Sequence, residues 1–132
     1  MLDQELVGRL KRDFPKVRFV TGRRFEFRPP RTVVIGPDEV HAEMLLLHEL
    51  GHALTERYTF ETEVERIRIE AEAWEKARQL ATQYGVLFDE ETAQDELDTY
   101  RDWLHQKSRC PKCGLTRFQV AGGGFRCPRC DL

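Results

Sequence analysis

Residues His48-Glu49-Leu50-Gly51-His52 constrain this chain more than any other stretch. They follow the apolar run Met44-Leu45-Leu46-Leu47 and precede Ala53-Leu54, so the segment reads as a buried helix. On a helix, two histidines four apart project from one face, one turn above the other, and can grip a single zinc ion. A glutamate directly after the first histidine sits beside that ion, placed to take a proton from zinc-bound water. Gly51 carries no side chain, so another backbone can approach closely there. The competing reading is a helix that carries two histidines and a glutamate by chance.

The surroundings of this helix follow from simple patterns. Asp38 reads as its N-cap, with Glu39 and Glu43 near the positive helix end and the helix running to about Arg57. Val40, Met44, Leu47, Gly51 and Leu54 then share one face. His41, seven residues before His48, falls on roughly the same side, either as a solvated first-turn histidine or as a residue supporting the ligands. Upstream, Leu2, Leu6, Val7, Leu10 and Phe14 are spaced by threes and fours, which predicts an amphipathic helix over 3–14 that ends before Pro15. Residues 17–20, 23–28 and 32–35 read as three short strands. In the second, Phe25 and Phe27 alternate with Arg24, Glu26 and Arg28. The expected arrangement is one small antiparallel sheet.

A second long helix is predicted over 61–84, ending at Gly85, a good C′ residue. Its apolar stripe is Val64, Ile67, Ala71, Trp74, Ala77 and Ala81. Glu70 falls on that stripe, where a carboxylate is costly without a partner. A catalytic zinc usually keeps three protein ligands and one position for water. No histidine or cysteine lies between His52 and His105, so a third ligand from this helix has to be a carboxylate. Glu70 is the first choice by the face argument, then Glu72, then Glu63. The alternative for Glu70 is a boundary residue paired with an arginine. A last helix is predicted from the Asp89 cap to about Gln106, packing through Ala93, Leu97, Tyr100, Trp103 and Leu104, with a polar hinge over 106–109.

With these residues in place, the chain resembles a gluzincin metallopeptidase and is most similar to the ImmA/IrrE-type peptidases. In that family the active helix is followed by one with a Glu-x-x-Ala-type pattern whose first glutamate binds zinc; Glu70 and Ala73 match it. Position 74 departs, with Trp74 where the family often has Asn. The resemblance covers residues ~32–80 and implies a zincin-type helix, a zinc held by His48, His52 and Glu70, and Glu49 as the catalytic base. Membrane peptidases of the HtpX type share a related pattern, but this chain has no membrane-spanning run. SprT-like proteases, which act on DNA-bound proteins, are a second comparison; they use a third downstream histidine that is missing here.

The tail reads Cys110-Pro111-Lys112-Cys113, thirteen intervening residues, then Cys127-Pro128-Arg129-Cys130. Two such knuckles offer four thiolates to one tetrahedral Zn²⁺. Phe118-Gln119-Val120 and Phe125-Arg126, around a glycine-rich turn, predict a β-hairpin with Phe118 and Phe125 packed against it. This resembles a zinc ribbon; a pair of redox dithiols is the other reading. So short a segment has almost no core, and metal binding would supply most of its folding free energy.

Charge is strongly segregated. Residues 1–31 hold nine Lys/Arg against four Asp/Glu, residues 32–105 six against eighteen, and residues 106–132 six against one. The basic ends can meet a nucleic acid, an acidic protein partner or the chain's own acidic helices. The N-terminus lacks the pattern of a signal peptide and no run suits a membrane, so a cytoplasmic location with reduced cysteines is expected. The sequence thus predicts an α+β fold: a small antiparallel three-stranded sheet, the zincin-type helix, two further long helices, and a four-cysteine zinc ribbon. The expected domains are 1–106 and 107–132, with one catalytic and one structural zinc. The expected function is a cytoplasmic zinc-dependent endopeptidase acting on a protein substrate, laid along the Thr32–Ile35 strand as an edge. The oxyanion donor stays open among Tyr58, Tyr84, Tyr100, His41 and several arginines. The alternative is a catalytically inactive regulatory or binding protein acting through its ribbon.

Overall fold

In the computed structural model, which describes residues 2–55, 59–120, 122 and 124–130, the chain is α+β. Among these residues there are four helices, α1 (Gln4–Asp13), α2 (Ala42–Thr55), α3 (Glu63–Tyr84) and α4 (Glu90–Ser108). The strands are β1 (Arg18–Thr21), β2 (Glu26–Arg28), β3 (Thr32–Ile35), β4 (Phe118–Gln119) and β5 (Phe125–Arg126). No described helix is long and apolar enough to cross a membrane. The chain divides into two compact units. The first comprises Met1–Tyr58 and Ala71–Asp89, the second Thr59–Glu70 and Glu90–Leu132.

In the first unit the three strands form a mixed sheet in the order β1-β3-β2, which corrects the antiparallel expectation. β1 runs parallel to β3, pairing Phe19 with Val33 and Val20 with Val34, while β2 runs antiparallel to β3 and pairs Phe27 with Val33. The physical reason is hydrophobicity. Thr32-Val33-Val34-Ile35 is the most apolar strand, with Val33, Val34 and Ile35 all buried, so it takes the centre and is paired on both sides. β3 is therefore not an edge available to a substrate. The charged β2 lies at one edge, and its outer face carries a small ion-pair ladder. Glu26 accepts hydrogen bonds from Arg24 at 2.9 Å and Arg28 at 2.5 Å, which hold its carboxyl below the usual range, the Arg28 bond most strongly.

The helices start and stop for local reasons. Asp3 caps α1 by accepting from the Glu5 amide at 2.9 Å. α2 begins at Ala42, not after Asp38. The Asp38 carboxylate instead accepts from the Leu2 amide at 2.6 Å, the His41 carbonyl accepts the Leu45 amide, and Val40 stands outside the helix at 80 % exposure. The predicted extension of α2 to Arg57 lies outside the described residues, as does Tyr58. α3 ends in a Schellman turn: Gly85 has φ +70° and the Val86 amide donates to the Ala81 carbonyl at 2.9 Å. The core of the first unit includes Leu6, Leu10, Val33, Leu46, Leu47, Leu50, Ala73, Trp74 and Ala77. Burying each of the large side chains contributes about 1.5–3 kcal/mol.

The expected stripe on α3 holds only from Trp74 onward. Val64 is exposed, while Ile69, Ala73 and Leu80 are buried. On α4, Ala93 and Leu97 are buried as expected and Trp103 is 43 % exposed. The polar hinge expected over 106–109 is helical through Ser108, which is buried. Its carbonyl accepts from the Arg117 amide and so joins the tail to the helix.

Candidate metal sites

Two groups of metal-binding side chains come together. In the second unit, Cys110, Cys113, Cys127 and Cys130 place their sulfurs within 4.8 Å of one another and none is disulfide-bonded. Each half is a tight turn. The Gly114 amide donates to the Cys110 carbonyl at 2.9 Å, with Gly114 at φ +79°, and the Cys130 amide donates to the Cys127 sulfur at 3.3 Å. The antiparallel β4–β5 pair links the halves. Amide donors aimed at sulfur favour the thiolate: the Cys113 and Lys112 amides bring the Cys110 thiol down to about 6. Cys130 is pushed up to about 12, first by its hydrogen bond with Cys113, then by burial and the other sulfurs. Four sulfurs that cannot all be charged without a cation form a donor set that can hold a metal ion.

In the first unit, His48, Glu49 and His52 on α2 each bring one ligand atom within 4.8 Å of the others. The spacing of four along the helix sets this arrangement, and helix burial keeps both imidazoles 7 % exposed. His48 Nε2 lies 3.8 Å from Glu49 Oε1, and the two rings meet edge to face at 4.7 Å. Their orientations are set by aromatic neighbours. Trp74 of α3 stacks on His48 at 4.0 Å and 22°, and Phe27 of β2 stacks on His52 at 5.7 Å and 11°. Phe88 in turn meets Trp74 edge to face at 6.0 Å. The spacing argument misses both stacking partners. Their signals were present: Phe27 on the apolar face of an alternating strand, and Trp74 on the apolar stripe. α2 can lie close to α3 because Gly51 faces the Ala73 carbonyl, where an added Cβ would stand 2.5 Å from the oxygen.

The carboxylates considered for a third ligand are dispersed along α3. Glu70 is half-buried and belongs to the second unit, where its charge, after burial, raises the Tyr100 hydroxyl above its ordinary value. Glu72 is half-buried in the first unit. Glu63 lies 3.6 Å from Arg66. His41 is 3.7 Å from Asp89, at the start of α2 and away from the histidine pair along the helix. Tyr84 donates to Asp13 at 2.6 Å, a contact that ties α3 to the end of α1. No protein family, curated protein or solved structure matches the chain.

Proposed function

We propose that the chain is a cytoplasmic zinc-dependent endopeptidase of the gluzincin type, similar to the ImmA/IrrE-type peptidases, with a C-terminal zinc ribbon that recruits what it cuts. The observation that carries this reading is the gathering of His48, Glu49 and His52 on one buried helix. Two imidazoles and a neighbouring carboxylate suit zinc chemistry. His48 and His52 would each give a ring nitrogen, and a carboxylate of α3 would complete the set, Glu70 by the sequence argument. Zinc held there supplies Lewis acidity and lowers the pKa of water. Glu49 takes the proton from the attacking water and delivers it to the leaving amine. The Trp74 and Phe27 stacks keep the two imidazoles in fixed orientations. An extended substrate would pair along β2, an outer strand of the sheet, since β3 is already paired on both sides.

A second reading is an inactive binding protein that acts through its cysteine cluster. The Trp74 stack favours it, because the ring covers one face of His48 at a position where the resembled family often has Asn. One experiment separates the two. Metal analysis of the purified chain is expected to give two zincs, and the Glu49→Gln variant should keep both. Proteins cleaved in cells expressing wild type should stay intact with the variant. Equal cleavage by both would refute the catalytic role of Glu49, and no cleavage by either would favour the binding protein. A Glu70→Ala chain that still holds two zincs would overturn that residue as the third ligand and move the test to Glu72→Ala.

A further inference from the structure

The β4–β5 hairpin has two different faces. Residues directly opposite each other across a strand pair project to the same side. Gln119 is paired with Phe125, and that side is turned toward the chain itself. Lys107 Nζ lies 5.8 Å and Arg117 Cζ 5.3 Å from the Phe125 ring centroid, and Gln119 accepts a hydrogen bond from the Glu63 amide. Phe118 is paired with Arg126 and projects the other way. Phe118 therefore does not pack against the hairpin as expected; the residue is 53 % exposed, beside an exposed arginine.

The outward face therefore offers an aromatic ring on which a partner can stack. The charge around it says which. From Lys107 to Cys130 the chain carries Lys107, Arg109, Lys112, Arg117, Arg126 and Arg129, and no aspartate or glutamate. All but Arg117 are exposed. Lys112 and Arg129 occupy the same position in the two Cys-Pro-x-Cys turns, so each knuckle carries one exposed cation. Four thiolates around one divalent ion carry −2, which leaves this segment at +4 with the metal bound.

We propose that the outward face of the hairpin binds single-stranded nucleic acid, with an unpaired base stacked on Phe118 and the phosphates held by Arg126 and the knuckle cations. An acidic peptide would satisfy the cations but leave the ring unused, and a duplex offers no free base face to it. Stacking on a ring is sequence-tolerant because every base has a π-face. Two-residue strands limit the footprint to a few nucleotides. The inference rests on the cysteines holding zinc, and zinc content measured on the same samples separates loss of the hairpin from loss of the surface.

The test is fluorescence anisotropy of the zinc-loaded full chain with a labelled oligothymidylate of about twelve nucleotides, a length within the usual range for such sites. Wild type should bind, with the logarithm of its affinity falling linearly in log salt. Phe118→Ala should weaken binding about tenfold while keeping its zinc, and Phe118→Leu, which retains apolar bulk without a ring, should weaken it similarly. Arg126→Gln should flatten the salt slope by about 0.7, one phosphate contact on a single strand. Wild-type affinity in both zinc-retaining Phe118 variants would overturn the proposal. So would displacement of the oligonucleotide by polyglutamate, or by a duplex of the same length, as readily as by unlabelled oligothymidylate.

Discussion

Replacing Gly51 by alanine tests the approach of α2 to α3 on which the histidine site is built. A Cβ at position 51 would lie 2.5 Å from the Ala73 oxygen, 3.2 Å from its carbonyl carbon and 3.3 Å from its Cα. All three are backbone atoms in the middle of a helix, and Ala73 is fully buried, so no rotamer change relieves the contact. Reaching an ordinary contact of 3.4 Å requires the helices to separate by about 0.9 Å. Overpacking of this kind costs about 1–3 kcal/mol, with rigid backbone at the upper end. The intrinsic preference of alanine over glycine in a helix offsets about 1 kcal/mol. The expected net loss is about 1–2 kcal/mol, a fall of roughly 4–8 °C in Tm for a chain of this size. The control is Gly8→Ala, in the exposed middle of α1, where an added Cβ meets nothing within 4 Å. There the same substitution should stabilise by about 0.5–1 kcal/mol. Thermal melts of the two variants at matched zinc should therefore move in opposite directions. A rise in Tm for Gly51→Ala equal to that for Gly8→Ala would refute the close approach.

Three further outcomes are expected. Trp74→Ala should lose about 3–5 kcal/mol, because Trp74 is buried against His48 and Phe88; urea unfolding midpoints measure this, and Trp74→Phe, which keeps a ring over His48, should lose much less. Tyr84→Phe should lower Tm at neutral pH by removing the hydrogen bond that holds the Asp13 carboxyl below its ordinary value. A depressed carboxyl stabilises above its unfolded pKa, so the gap between variant and wild type should shrink in melts taken below about pH 4. Tyr84 is raised to about 12 by burial and by Asp13, so its contribution is intact below about pH 10, where the unfolded tyrosine starts to ionise, and is lost progressively as pH rises to about 12. Finally, complete zinc removal by a chelator should abolish amide-exchange protection at Val120 and Cys110, whose amides donate to Gly124 and Leu115 at 2.8 Å. Protection that survives with no metal would refute the metal as the substitute for a core.

The parts of this structure that were legible in the sequence are those fixed by local chemistry. Breakers and a 3.6-residue period located all four helices, although the cap expected at Asp38 does not start α2, and ligand type plus spacing singled out the two groups that come together. What was not legible depends on partners distant in the chain. The Thr32–Ile35 run is apolar at consecutive positions, the mark of a strand covered on both sides. Yet strand order follows from which edge each neighbour takes, and no local signal states that. The hairpin register is similar. Whether Phe118 or Phe125 faces outward is decided by parity across a glycine-rich turn, where one residue more or less exchanges the two faces.

α3, which carries every candidate for the third ligand, serves two units. A single stripe was expected along it, but the helix contributes Glu63–Glu70 to one unit and Ala71–Tyr84 to the other. A helix with two sets of partners need not keep one apolar face. Its buried positions are Ile69, Ala73, Trp74, Ala77, Leu80, Ala81 and Tyr84, a face that keeps Trp74, Ala77 and Ala81 of the expected stripe. Ile67 and Val64, which anchored the expected stripe, lie off it. Glu70 borders this face beside Ile69, and Glu72 borders it beside Ala73. Both are half-buried, so burial does not separate Glu70, chosen by helical face, from Glu72. Zinc stoichiometry of Glu70→Ala and Glu72→Ala decides between them. The true ligand loses one zinc of two, and the other variant keeps both.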